Sequence, residues 1–231
     1  MPTFMFLYIL IWLATFLFDK RKFIIQKITQ YWANFYVWVF PFWTVEIIGS
    51  EKIIKNRACV AVSNHQSMGD IIFLFKTYAY FIWVSKIENF KIPILGWVMR
   101  INKYISLQRN DQRTFPKMFE DISASLKKHK TIMMFPEGTR SRNMEVGRFK
   151  EGAFKAAIDN KVSIIPIVLD GTGKTVKRDP AEKGKIKIII KVLDEIPYSS
   201  FPTYNATELK DYVRDIIVRE LETLRTAHTN K

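Results

Sequence analysis

The stretch ACVAVSNHQSMGDIIFLF, Ala58 to Phe75, joins two apolar runs through a short polar turn. Small and β-branched residues fill the first run, which predicts a buried strand over Ala58 to Ser63, and the second run predicts a helix. A strand handing over to a helix is the building unit of an α/β domain, and polar residues at the handover stand where ligands gather on such sheets. The same alternation recurs along the chain. Strands are expected at Val45 to Ile48, Phe81 to Ser85, Tyr104 to Leu107, Thr131 to Phe135, Ser163 to Leu169 and Lys185 to Leu193. Helices are expected over Thr114 to Lys128, with Phe115, Phe119, Ile122 and Leu126 on one face, and over Lys150 to Ile158. Asn205 and Glu208 form an N-cap and N3 pair before a third helix carrying Leu209, Val213, Ile216, Ile217, Leu221 and Leu224, and Ala227 to Lys231 read as a frayed tail. Because Lys185 to Leu193 follows a polar loop, Gly171 to Gly184, rather than a helix, it suits an antiparallel partner. The expectation is an α/β domain over residues 44–231 with a mixed sheet flanked by helices.

Residues 1–43 are different. Met1 to Phe18 has no charged residue, and Asp19-Lys20-Arg21-Lys22 closes the run. A helix over Thr3 to Phe18 would be about 24 Å long, short of a hydrocarbon core of ~30 Å. The leading MPTF has no basic residue and no small-x-small site precedes the charges, so the segment does not read as a cleaved signal peptide. Phe23 to Trp43 starts amphipathic and becomes the block YWANFYVWVFPFW; of 33 Phe, Tyr and Trp residues, 15 precede Thr44. Aromatic rings beside a basic cluster suit the headgroup level, so the segment is expected to form a hydrophobic helical hairpin dipped into one leaflet. The protein would then be monotopic on the cytoplasmic face of the inner membrane; the competing reading is a pair of buried helices. A net charge of +14 and a pI near 9.8 call for anionic partners. An anionic membrane surface fits the N-terminus. Nucleic acid does not fit, because the basic residues are dispersed and no recognised binding motif is present.

Candidate chemistry lies in the turns that follow strands. His65 and Asp70 would stand about 140° apart on one regular helix, so they can pair only if His65 lies in the turn and Asp70 in the first helical turn, with Ser67 as cap. A carboxylate so placed holds one imidazole tautomer and leaves the other nitrogen to accept a proton. No Ser or Cys occupies a nucleophile-elbow setting, and the single Cys59 lies on an apolar strand, so the nucleophile is expected to be a substrate hydroxyl. After Thr131 to Phe135 comes PEGTRS, Pro136 to Ser141: Arg140 offers a fork for phosphate, Gly138 lets backbone approach a ligand, and Glu137 accepts hydrogen bonds from hydroxyls. Lys86 and Arg109 each end a strand, and Pro166 interrupts an apolar strand, which is allowed at an edge or bulge. Histidines at 65, 129 and 228 cannot form a tight metal cluster, and no metal is expected.

Taken together, these blocks resemble the lysophosphatidate (1-acylglycerol-3-phosphate) acyltransferase family of glycerolipid acyltransferases. The likeness runs from about Val45 to about Leu193. It rests on N-H-x-x-x-x-D at Asn64 to Asp70, K-x-E-x-x-x-x-P-x-x-G at Lys86 to Gly96 leading to Arg109, F-P-E-G-T-R-S at Phe135 to Ser141, and an apolar-proline block at Ile165 to Ile167. Asn102 stands where many members have glycine. The resemblance implies acyl transfer from acyl-CoA or acyl carrier protein to the free hydroxyl of a lysophospholipid, without tightly bound cofactor or covalent acyl-enzyme. It implies His65 as general base oriented by Asp70, and a substrate site from Glu137, Gly138, Thr139, Arg140, Lys86 and Arg109, with Asn64, Pro136 and Pro166 structural beside it. Alternatives are another acceptor on the same fold (glycerol 3-phosphate, another lysophospholipid or a lyso-aminolipid) or a non-catalytic basic membrane-binding protein.

Overall fold

A computed structural model of the chain describes residues 2–53, 56–109, 111–175 and 185–229. Met1, residues 176–184 of the expected polar loop, and residues 230–231 of the expected tail lie outside them. Two helices come first, α1 (Pro2–Thr15) and α2 (Phe23–Val39). There follow β1 (Trp43–Ile48), β2 (Cys59–Ser63), α3 (Asp70–Leu74), β3 (Phe81–Lys86), α4 (Leu95–Ile101), β4 (Ile105–Leu107), α5 (Phe115–Leu126) and β5 (Thr131–Met134). The chain closes with α6 (Gly152–Asp159), β6 (Ser163–Asp170), β7 (Ile186–Val192) and α7 (Ala206–Thr229).

Among the described residues the strands form one seven-stranded sheet in the order β1-β7-β6-β2-β5-β3-β4. From β6 to β4 all five strands run parallel. β7 is antiparallel to β6 and parallel to β1, as the missing crossover helix implied. Strand β2 is where the order turns: the chain leaves it for β3 and β4, inserts β5 between, and returns to its other flank with β6. In such sheets ligands bind in the crevice outside the carboxyl ends of the strands at the point where the order turns, which here lies beyond Ser63.

Period-two alternation divides the sheet residues between two cores. Val60, Val62, Ile82 and Ile132 pack with Ile122 of α5, Phe154 of α6 and Val213 and Ile217 of α7. Cys59, Ala61, Phe81 and Met133 face the other way, against Phe73 and Leu74 of α3 and Ala33 and Val37 of α2. The N-terminal hairpin thus lends one face to the body of the protein.

Polar bonds fasten the hairpin too. Gln26 and Gln30 of α2 donate through Nε2 to the carbonyls of Phe81 and Ala79, at 3.0 and 2.7 Å. Tyr8 of α1 has its hydroxyl 3.2 Å from Thr29 Oγ1 and accepts a bond from Asn102 Nδ2 at 2.8 Å. Asn102, where many members of the resembled family have glycine, is the C-cap of α4 in right-handed geometry, and the following Lys103 takes a positive φ.

Three expected boundaries move. α1 ends at Thr15 rather than Phe18, because the chain turns there so that Asp19 can accept the N–H groups of Phe23, Ile24 and Ile25 at 2.8, 3.1 and 3.3 Å. A capping side chain of this kind stabilises a helix by ~1 kcal/mol. α3 begins at Asp70 with Gly69 as N-cap, while Ser67 accepts the Gly69 N–H through Oγ at 3.1 Å. α7, capped reciprocally by Asn205 and Glu208 as expected, continues through residues 227–229, which are helical rather than frayed.

Candidate active site

Beyond Ser63 the chain leaves β2 and is tied at once to its neighbour. Asn64 spends its whole amide on one residue of β6: Oδ1 accepts the Leu169 N–H and Nδ2 donates to the Leu169 carbonyl, both at 2.8 Å. This side chain continues the sheet pairing by one step and so fixes where His65 begins.

His65 lies in the turn and Asp70 opens α3, the geometry that the five-residue spacing demanded. His65 Nδ1 is 2.7 Å from Asp70 Oδ2, and the carboxylate is fully buried. The same oxygen accepts the N–H groups of Gln66 and Ser67 at 2.8 and 3.0 Å. An ionised carboxylate accepts only, which assigns the proton of a neutral imidazole to Nδ1 and leaves the Nε2 lone pair free. Nε2 has no protein partner among the described residues, and the side chain is 16% exposed. Phe135, the residue after β5, stacks on the imidazole with centroids 4.1 Å apart and planes tilted by 13°. Ring packing on one side and Asp70 behind thus orient the imidazole.

The turn after β5 locks onto the turn after β2. Glu137 Oε1 accepts the His65 N–H at 2.8 Å, and the His65 carbonyl accepts the Ser141 N–H at 2.8 Å. Glu137 Oε2 accepts the Gly147 N–H at 3.1 Å. Expected against a substrate hydroxyl, Glu137 is instead a buried brace with each carboxylate oxygen already taken by backbone. Burial raises its pKa above the ordinary carboxylate value, with the two backbone donors opposing the shift. Pro136 accepts the Lys150 N–H through its carbonyl at 2.8 Å. Gly138 has φ +71°, a left-handed turn position that a side chain would strain. Thr139 and Arg140 are exposed.

Lys86 and Arg109 come to the same sheet edge on β3 and just past β4, so two and three strands from β2. Lys86 Nζ is 3.8 Å from Glu88. Burial lowers the Arg109 pKa, partly offset by Glu88, and its Nε is buried without a partner among the described residues. Pro166 lies inside β6, at a bulge: between the pairs Ile167↔Val192 and Ile164↔Ile196 the facing chain holds one extra residue, so the missing N–H interrupts no ladder bond. Cys59 is buried and its thiol is pushed up to about 11 by that burial, which suits packing rather than nucleophilic attack. Among the described residues no group of three or more His, Cys, Asp or Glu is placed to hold a metal ion.

Two separated turns, Asn64 to Asp70 and Phe135 to Ser141, therefore meet around one imidazole. Residues 44–170 match the family model described as Acyltransferase. The chain belongs to the acyltransferase family. It is 33% identical over 212 residues to a 1-acyl-sn-glycerol-3-phosphate acyltransferase of Chlamydomonas reinhardtii, covering 88% of this chain and 60% of that protein. It is 37% identical to a chloroplastic 1-acyl-sn-glycerol-3-phosphate acyltransferase of Arabidopsis thaliana, covering 75% of this chain and 50% of that one. The chain thus spans between half and three-fifths of the length of these curated relatives. Among solved structures, the 1-acyl-sn-glycerophosphate acyltransferase PlsC of Thermotoga maritima superposes with a TM-score of 0.74 at 26% identity, covering 92% of this chain and 86% of that one.

Several residues at the candidate site escaped the sequence reading. Gln66, Gly147 and Asp170 join it through tertiary contact, as do two arginines of α7, Arg214 and Arg225. The arginines left a readable trace: eleven residues apart, they project within about 20° of each other on a helix.

Proposed function

We propose that the chain transfers an acyl group from an acyl thioester to the free hydroxyl of 1-acylglycerol 3-phosphate, giving phosphatidate. The observation that carries this reading is His65, with Nδ1 bound to buried Asp70 and Nε2 unoccupied at the crevice. Nε2 accepts the hydroxyl proton as the substrate oxygen bonds to the thioester carbonyl carbon; the C–S bond then breaks, and the departing sulfur takes the proton back from the imidazolium. Attack by the substrate oxygen needs no acyl-enzyme, and the donor, acyl-CoA or acyl carrier protein, is a co-substrate rather than a cofactor. The names of the relatives support the acceptor. Arg140 supplies a planar fork for its phosphate, with Lys86 and Arg109 as further cations on the same edge. Gly138 and Thr139 shape the turn against the acceptor, and Glu137 holds that turn to His65.

Lipid acceptor and product call for a site open to a leaflet. Phe6, Leu7, Leu10, Leu13 and Leu17 are exposed on or just after α1, as are Phe35 and Trp38 on α2. Leu95 and Trp97 of α4 are exposed beside them, since Val98 of the same helix packs on Met5 and Tyr8. No helix among the described residues is long and apolar enough to cross a membrane. An apolar face without a span supports monotopic attachment, with the site on the cytoplasmic face of the inner membrane.

The test is acyl transfer by the purified full chain, with both thioester donors and a panel of lyso-acceptors. Lysophosphatidate should be preferred, and folded His65→Ala and Asp70→Asn should each lose at least about a hundredfold in kcat. Near-normal turnover of folded His65→Ala would remove the general-base reading, and preference for an acceptor without phosphate would remove the acceptor assignment.

A further inference from the structure

Helix α7 lies outside the stretch that matches the family, yet it reaches the site. The segment between Ser141 and Glu151 has no regular structure, so its carbonyls find no ladder and need donors from elsewhere. Two arginines of α7 supply them. Arg214 donates from Nε to the Gly147 carbonyl at 2.8 Å and from a terminal nitrogen to the Val146 carbonyl at 2.9 Å. Three turns on, Arg225 donates to the Met144 carbonyl at 2.8 Å, to Glu145 Oε1 at 2.8 Å and, from Nε, to Asp170 Oδ1 at 3.2 Å.

Each clamp shares a residue or an acceptor with the contacts that hold the His65 turn. Gly147, whose carbonyl Arg214 holds, donates its N–H to Glu137, and Glu137 in turn accepts the His65 N–H. Gln66, next to His65, donates to two of the three acceptors of Arg225, the Met144 carbonyl at 3.3 Å and Asp170 Oδ1 at 3.5 Å, while its backbone N–H goes to Asp70. Lines of hydrogen bonds thus run from α7 to both sides of His65. A guanidinium suits the task because its rigid planar fork holds two acceptors at a fixed spacing, which the rotating donors of an ammonium do not.

We propose that Arg214 and Arg225 are positioning residues: from α7 they fix the 144–147 segment, and through Glu137 and Gln66 they hold His65 and the Arg140 turn in register with the crevice. Neither touches the reacting atoms. The inference rests on the acyl-transfer reading for its kinetic arm only, since the geometry of the loop can be measured without substrate.

The experiment compares full-length Arg214→Ala, Arg225→Ala, both Arg→Lys variants and Arg219→Ala, whose guanidinium on the same helix bonds, among the described residues, to the Asp215 carbonyl of α7. Turnover, KM for each substrate, thermal unfolding and site-resolved amide exchange are measured on each. Both alanine variants should lower kcat by on the order of ten- to a hundredfold with little change in donor KM. The lysine variants should recover only part of the loss, and Arg219→Ala should match the parent. Exchange at the His65, Ser141 and Gly147 amides should accelerate at least about tenfold in the alanine variants, while sheet amides stay protected. Combining Arg214→Ala with Glu137→Gln should cost little more than the worse single change, because both cut one line of contacts. Parental kcat and parental exchange in the folded alanine variants would overturn the proposal, as would loss of stability with unchanged kcat. If no acceptor is acylated by the parent chain, faster exchange in the variants still supports the positioning role, and unchanged exchange still defeats it.

Discussion

At the scale of single residues, the site is built from side chains that spend themselves on backbone. Asn64 pairs with Leu169, Asp70 Oδ2 collects two N–H groups as well as the imidazole, and Glu137 bridges His65 and Gly147. Each replaces a ladder bond that an irregular turn cannot make, which is why polar residues survive in a buried place. Arg140 differs, being exposed and so available to a ligand. Arg140→Lys should raise the acceptor KM by about tenfold, about 1.4 kcal/mol, and leave the donor KM near its parental value, because lysine keeps the charge and loses the fork. Steady-state kinetics with each substrate varied in turn checks this; a change confined to donor saturation would move the phosphate assignment away from Arg140.

At the scale of elements, the hairpin and the sheet are joined by buried polar groups as well as apolar contact. Lys130, just before β5, is nearly buried; it donates to the Arg21 carbonyl at 3.3 Å and lies over the Tyr80 ring. Burial, helped by the nearby cations Lys103, Lys128 and Arg21, pushes its pKa down to about 8. An unfolded lysine titrates near ~10.4. Between about 8 and that value the unfolded chain binds more protons than the folded one, so this group makes stability rise with pH across the window and withdraws that stability as pH falls. Lys130→Met should therefore raise the unfolding midpoint at pH 7 by a few degrees, at about 2–4 °C per kcal/mol. Its advantage should shrink as pH approaches 10. Thermal denaturation of both proteins from pH 7 to 10 decides it; a constant difference would mean that lost packing or the Arg21 bond, not titration, sets the effect.

At the scale of the whole molecule, an outward apolar face on α1, α2 and α4 flanks a domain whose crevice carries His65. In a Cys59→Ser background, single cysteines at Lys20 and Ala227 should label from the same side of sealed vesicles, and one at Phe6 should label from neither side until detergent is added. Labelling of Phe6 from the far side alone would show a crossing, and release by high salt alone would show that insertion is not what holds the protein. The sequence by itself determined the seven strands, the mixed sheet, the capping of α7 and the pairing of His65 with Asp70, because each rests on a local period or on a short spacing that geometry constrains tightly. Hydrophobic period and turn chemistry report how a residue meets its near neighbours. They do not report which distant turn will lie against it. Only the tertiary structure decided that Glu137 braces the His65 backbone, that Asn102 reaches Tyr8, that the hairpin shares a core with the sheet, and that arginines of the last helix hold the loop beside the His65 turn. Those contacts join residues as far apart as His65 and Glu137, or Gly147 and Arg214, and they follow from the order in which β2, β5 and β6 are laid side by side.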